Sequence, residues 1–251
     1  MSSAMKNLVK LTAKRLGYVI RNVRHHPCGL DIWSDVKNLS IAFSKPVQCV
    51  FDVGANVGST SQQLLKEFDS CRVFAFEPHR VTFEKLKNNI KSDRFFPIQL
   101  AFSDTSGTQT FYDYGEYGED ASVLNSLTPN TRYARRAELK ATELSVSTST
   151  IDKFCIENKI QRIDVLKIDT EGHDFNVLKG AEKMLSTNAV DFVYFEFNDF
   201  KLRPGTEGGS LNEITDYLTN FGFRFIATYT DSILTEGELF VVANALLINT
   251  K

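Results

Sequence analysis

The chain has 251 residues, 42% apolar and 24% charged, the balance of an ordinary globular protein able to bury a large core without staples. Its 29 basic and 31 acidic side chains nearly cancel, which excludes a surface that binds nucleic acid by bulk charge. No apolar run reaches the roughly 18 residues of a membrane-spanning helix. The four scattered cysteines, Cys28, Cys49, Cys71 and Cys155, offer neither a CxxC pair nor a disulfide framework, so reduced thiols and a cytoplasmic location are expected.

Residues 1–45 read as a basic helical extension. No acid precedes Asp31, whereas Lys6, Lys10, Lys14, Arg15, Arg21 and Arg24 do; Met5, Val9, Leu16, Val19 and Val23 recur at helical spacing. Three readings compete for it: a helix packed on the main domain, a helix lying on a membrane or glycolipid surface, and an organelle transit segment. From residue 46 to 251 strand and helix patterns alternate, as in a doubly wound, mostly parallel sheet covered on both faces. Strands are expected at 47–53, 72–76, 96–101, 163–168 and 190–197, with helices to about 68, at 81–91 and at 175–185. A helix at 211–220 and strands near 224–228 and 239–247 complete a seven-stranded sheet with an antiparallel last strand. The stretch at about 105–149 breaks the alternation and reads as a β-rich insertion with short strands at 108–112 and 144–148.

The first chemical motif is the run Phe51-Asp52-Val53-Gly54-Ala55-Asn56-Val57-Gly58, an apolar strand leading through a glycine turn into a helix. Gly54 suits the sharp turn, Gly58 suits a close backbone approach to a ligand, and the helix start offers free N–H groups. Asp52, at the strand end, is placed to take the ammonium of an amino-acid-like ligand. Glu77 ends the second strand 25 residues later, where an acid can accept both hydroxyls of a ribose. Ser103 and Asp104 close the third strand and are candidates for an adenine amino group, although Asp104 also opens an ordinary turn. GxxxG spacing, rather than GxGxxG, weakens a nicotinamide reading, and no GxxxxGK[ST] loop occurs.

The second motif crowds Asp169, Glu171, His173 and Asp174 at a strand-to-helix junction on the same sheet edge, with Glu196 and Asn198 ending the next strand. Ligands of open parallel sheets bind at that edge. Helix N-capping accounts for Asp174 but not for the other three.

Together these segments resemble the FkbM family of methyltransferases. The resemblance is carried by FDVGANVGSTS (51–61), FAFEP (74–78), LAFSDTSG (100–107), STID (149–152) and DVLKIDTEGHDFNVLKGAE (164–182), in order over about residues 47–200. It implies a class I, Rossmann-like methyltransferase fold, S-adenosylmethionine as donor, and O-methylation of a sugar, glycan or similar small-molecule hydroxyl. By that resemblance Asp52, Gly54, Asn56, Gly58 and Glu77 belong to the cofactor site, and Asp169 and Glu171 to the reaction centre.

Methyl transfer from an activated sulfonium asks for alignment of the acceptor oxygen and a base to take its proton. His173 is the first candidate base, because its ordinary pKa lies near working pH, and Glu171 the second. No dedicated metal site is expected; Mg²⁺ held by Asp169, Glu171, Glu196 and Asn198 is the lesser route, with no geometry fixed by the spacing. Arg132, Arg135, Arg136 and Lys140 read either as a solvated helix face or as a clamp for an anionic acceptor. Tyr112, Tyr114, Tyr117 and Tyr133 could stack on sugar rings or serve as apolar cover, and residues 201–209, with Arg203, could close over the pocket. Two other classes compete. A nicotinamide-dependent reductase or epimerase would favour GxGxxG and a Tyr-x-x-x-Lys pair, both absent, and a non-catalytic nucleotide-binding protein would not need the acids and His173.

Overall fold

The structure, a computed structural model, describes residues 3–17, 28–118, 124–129, 138–197, 209–235 and 238–251. Two helices come first, α1 (Ser3–Arg15) and α2 (Ile32–Ala42), followed by β1 (Cys49–Val53), α3 (Ser59–Glu67), β2 (Arg72–Phe76), α4 (Arg80–Asn89) and β3 (Phe95–Ile98). Next come β4 (Ala101–Phe102), β5 (Gly107–Asp113), β6 (Thr142–Ser149), α5 (Ile151–Glu157) and β7 (Ile163–Ile168). The chain continues through α6 (Asp174–Lys179), α7 (Glu182–Ser186), β8 (Val190–Phe197), α8 (Leu211–Thr219), β9 (Phe223–Thr235) and β10 (Glu238–Asn249).

Seven strands form one sheet in the order β3-β2-β1-β7-β8-β10-β9, and β10 runs antiparallel to both its neighbours. This is the class I methyltransferase architecture. β1 and β7 are buried along their whole length, as strands covered on both faces must be. The period-2 alternation of the strand divides the core. Phe51 and Leu166 face a cluster with Phe76, Phe102, Phe154 and Leu178, while Val50 and Val165 face Leu64, Leu86 and Phe192 on the other side. Full burial of such side chains contributes about 1.5–3 kcal/mol each.

Four details depart from the periodicity. The expected strand at 96–101 is two strands: β3 is an edge strand that tolerates Pro97, the chain turns at Gln99 and Leu100, and β4 pairs with β6 instead. β4, β6 and β5 make a separate three-stranded sheet. The expected helix at 175–185 breaks at Gly180 and Ala181, because the Asp152 carboxylate accepts from the N–H groups of Lys183 and Met184 and starts a new helix there. α2 lies before residue 46 yet packs into the core through Trp33 and Val36. Its first turn is capped by Asp31, which accepts from the Ser34 N–H at 2.7 Å, and its buried Asp35 accepts from the Tyr229 hydroxyl at 2.7 Å. By contrast α1 exposes its apolar side chains; Val19, Val23, Arg21 and Arg24 lie outside the described residues.

Candidate active site

A pocket opens at the carboxyl ends of the parallel strands, between the tips of β1, β2 and β7 and the small sheet. Gly54, Asn56 and Glu77 line one side, Asp169, Glu171 and His173 the other. Phe76, Phe102, Phe111 and Leu127 supply apolar wall. Asn125 and Ser126, from the segment between β5 and β6, complete it.

The glycine turn is shaped by close packing. Gly54 has φ +73°, and a Cβ there would lie 1.8 Å from the Asp169 carbonyl oxygen, so any side chain would push apart the tips of β1 and β7. Gly58, at φ +94°, precedes α3, and a Cβ would meet Leu86 and Ile90 at 2.8 Å. Its missing side chain therefore makes room for α4 and the chain after it; it does not line the pocket. Asn56 takes a left-handed φ of +48° and sends its N–H to Glu77 Oε2 at 3.1 Å. The other Glu77 oxygen accepts from the His79 N–H at 2.9 Å. Glu77 is 7% exposed, and burial, only partly offset by these two hydrogen bonds, pushes its pKa up to about 7.

Asp52 sits elsewhere than expected. It is fully buried, accepts from Ser61 Oγ at 2.6 Å and pairs with Lys167 Nζ at 2.9 Å, so its cation is one of the protein's own. The two residues are register partners on the adjacent parallel strands β1 and β7. Lys167 also donates to the Gly54 carbonyl at 2.9 Å and lies 3.4 Å from Asp169. Burial alone would lower the Lys167 pKa, but the Asp52 and Asp169 carboxylates outweigh it and hold the ammonium charged. Sequence reasoning gave Lys167 no role. A lysine deep inside the fully buried strand Ile163–Ile168 is the signal that could have found it, since a buried charge demands a partner.

Asp169 and Glu171 reach the pocket from the loop after β7. Glu171 holds a left-handed φ of +52°, and Ser126 Oγ donates to the carbonyls of Thr170 at 2.8 Å and Glu171 at 3.0 Å, pinning that turn. Asp174, read as a helix cap, accepts from Thr170 N–H and Oγ and from the Glu196 N–H at 3.1 Å, tying β7 to β8. One carboxylate oxygen from each of Asp169, Glu171 and Glu196 lies within 4.8 Å of the others. Burial and the facing charges of Asp169 and Asp174 push the Glu171 carboxyl well above its usual range; burial raises Glu196 likewise, with the charge of Glu171 next. Among the described residues Glu196 Oε2 receives no hydrogen bond.

His173 is 7% exposed, with Nε2 3.0 Å from Ser103 Oγ and Nδ1 3.3 Å from Thr128 Oγ. Burial lowers its pKa to about 4. Ser103 is thereby committed to His173 and, as donor, to Asp104 at 3.1 Å; neither Ser103 nor the exposed Asp104 lines the pocket. Tyr114 is buried, Tyr112 half-buried and Tyr117 exposed, and none lines the pocket. Arg132, Tyr133, Arg135, Arg136, Asn198 and Arg203 lie outside the described residues, whereas Lys140 is described and exposed.

The pocket suits an adenosine-bearing amino acid: Glu77 has lone pairs left for two hydroxyls, an apolar wall faces it, and the partly exposed Asp169 stands across from it. Residues 52–225 match the family described as "Methyltransferase FkbM domain". The chain is 24% identical over 243 residues, 95% of its length and 93% of the relative's, to the 2-O-methyltransferase NoeI of Sinorhizobium fredii. It is 29% identical over 170 residues (65% and 62% of the two lengths) to the hexuronic acid methyltransferase AglP of Haloferax volcanii. It is 28% identical over 227 residues (79% and 81%) to the 31-O-demethyl-FK506 methyltransferase FkbM of Streptomyces tacrolimicus. With the strand order and the pocket at the β1 tip, these matches place the chain in the FkbM family as an S-adenosylmethionine-dependent methyltransferase.

Proposed function

We propose that the chain methylates a hydroxyl oxygen of a sugar, glycan or similar small acceptor, with Glu171 as the proton acceptor. Two of the relatives carry O-methylation in their names and a third a hexuronic acid, which supports an oxygen acceptor of saccharide type. S-adenosylmethionine supplies, when bound, a methyl carbon on a positively charged sulfur that becomes neutral as the acceptor oxygen takes the carbon. In this reading Glu77 accepts the ribose hydroxyls, Asp169 faces the ammonium, and the glycine turn closes on the backbone side.

One observation carries the choice of base. Both ring nitrogens of His173 already have protein partners and its pKa is lowered, while the Glu171 carboxyl faces the pocket with its affinity for protons raised. A carboxylate whose proton affinity is raised takes a hydroxyl proton more readily than one of ordinary acidity, so Glu171 takes the first place and His173 becomes a wall and positioning residue. The test is turnover of S-adenosylmethionine with a panel of saccharides, read as the mass of the methylated product. Formation of a methyl ether, lost in Glu171→Gln but retained in His173→Gln, supports the reading; the opposite pattern overturns the choice of base.

A second reading rests on the carboxylate group of Asp169, Glu171 and Glu196 and the unpartnered Glu196 Oε2. A divalent cation such as Mg²⁺ held there would lower the pKa of the acceptor hydroxyl directly. Activity that survives exhaustive chelation favours the carboxylate base; activity lost to chelator and restored by Mg²⁺ favours the cation.

A further inference from the structure

We propose that α1 docks the protein onto an anionic lipid bilayer, lying flat at the headgroup level. The helix spans 13 residues, about 20 Å at 1.5 Å per residue, and no helix among the described residues is long and apolar enough to cross a membrane. Leu8, Val9, Leu11 and Leu16 are 65%, 42%, 61% and 70% exposed. At 100° per residue they fall within one arc of about 160°. Lys6, Lys10 and Lys14 follow one another at i, i+4 and i+8 and form a single row beside that arc. Arg15 adds a fourth cation in the last turn, where it falls within the apolar arc between Leu11 and Leu8, and the helix carries no acid at all.

A soluble domain seldom leaves several leucines this open on one helix face, and a contiguous exposed apolar strip marks an interaction surface. The charge decides the partner. A strip flanked on one side by a row of lysines, with no acidic residue to pair with a basic partner, complements a surface that is apolar beneath and negative above. Anionic headgroups over acyl chains have that layering. A protein groove would need matching acids at fixed positions, and nucleic acid would leave the leucines uncovered.

The full chain is tested by flotation with phosphatidylcholine vesicles, with and without 30 mol% phosphatidylglycerol, at low and high salt. Expected is retention on the anionic vesicles, at least tenfold less on neutral ones, and weakening as salt rises. Each lysine replaced by glutamine should cost about fivefold in partitioning. Leu8→Ser with Leu11→Ser should abolish retention even at low salt, with an unchanged thermal unfolding midpoint as the check that the fold survives. Equal retention on both vesicle types, no retention on either, or binding that the leucine changes leave intact overturns the proposal. So does a chain that self-associates through α1, seen as loss of the oligomer in the leucine variant by sedimentation, without vesicle binding.

Discussion

On the β1–β2 side of the pocket the polar contacts stay within one strand–helix–strand unit: Asn56 and His79 donate to Glu77, and Gly54 and Ala55 donate to the Phe76 carbonyl. On the β7–β8 side the contacts that shape the site join more distant segments, although Asp174 also accepts from nearby Thr170. Lys167 reaches Asp52, Asp174 reaches the β8 backbone, Ser126 reaches the turn at Glu171, and Ser103 reaches His173. The first side is one β1–α3–β2 unit of consecutive chain; the second is assembled only when β7, β8 and the small sheet close on one another. Among the carboxylates gathered there, burial and the neighbouring charges raise the proton affinity of Glu171, Asp174 and Glu196.

The sharpest way to break this contrast is at Glu171. Glu171→Gln keeps the shape and removes the proposed proton acceptor, so turnover should fall about 10²–10⁴-fold. Affinity for S-adenosylhomocysteine, measured by calorimetry, should stay within about threefold, because the ground-state contacts lie mostly on the other side. A variant that keeps full turnover would leave the β7–β8 side without its chemical role. Lys167→Met comes next. It strands Asp52, which has no exposure, and should cost about 3–5 kcal/mol in urea unfolding. A loss below about 1 kcal/mol would show that Asp52 takes up a proton at little cost and that Lys167 does not hold the two sides together.

The same contrast explains what could be read in advance. The seven strands and the site at their carboxyl ends follow from apolar runs, the glycine turn and an acid after β2, all of which are local patterns. Glu77, directly after β2, lines the pocket for the same local reason. The partners of Asp52, Ser103 and Asp174 were not legible, because a register pairing such as Asp52 with Lys167 depends on which strands become neighbours. Gly58 shows the same limit at one atom: positive φ was foreseeable, but the obstacle is Leu86 and Ile90 from the next helix unit. The split of β3 from β4 and the break at Gly180 likewise come from contacts with β6 and Asp152, beyond the reach of any window of periodicity.

His173 offers a test of smaller size. Its folded pKa of about 4 lies below the ordinary 6.5, so the unfolded chain binds a proton more readily between those values. Its contribution is present above pH 6.5 and is lost as pH falls toward 4, up to about 3 kcal/mol. Denaturation midpoints across that range should fall with pH in the native chain and fall less in His173→Gln. If the two profiles coincide, His173 is not buried neutral and becomes available again as a base.

The smallest expected effect concerns Glu77, and it separates a carboxylate that binds from one that merely braces the turn. The free protein holds a proton there below about pH 7, whereas two ribose hydroxyls need the ionised form as acceptor. Affinity for S-adenosylhomocysteine should therefore be flat above pH 7 and weaken below it, approaching about tenfold per pH unit. Glu77→Gln should bind about 10–30-fold more weakly at pH 8, consistent with loss of a charge-assisted hydrogen bond, and lose the pH dependence. Bracing predicts something else: the turn would loosen, stability would drop, and the slope of affinity against pH would persist in the variant, because its source would lie in the carboxylates across the pocket. Calorimetry on both chains at four pH values decides between them, since only a carboxylate that itself receives the hydroxyls takes the slope away when it is replaced.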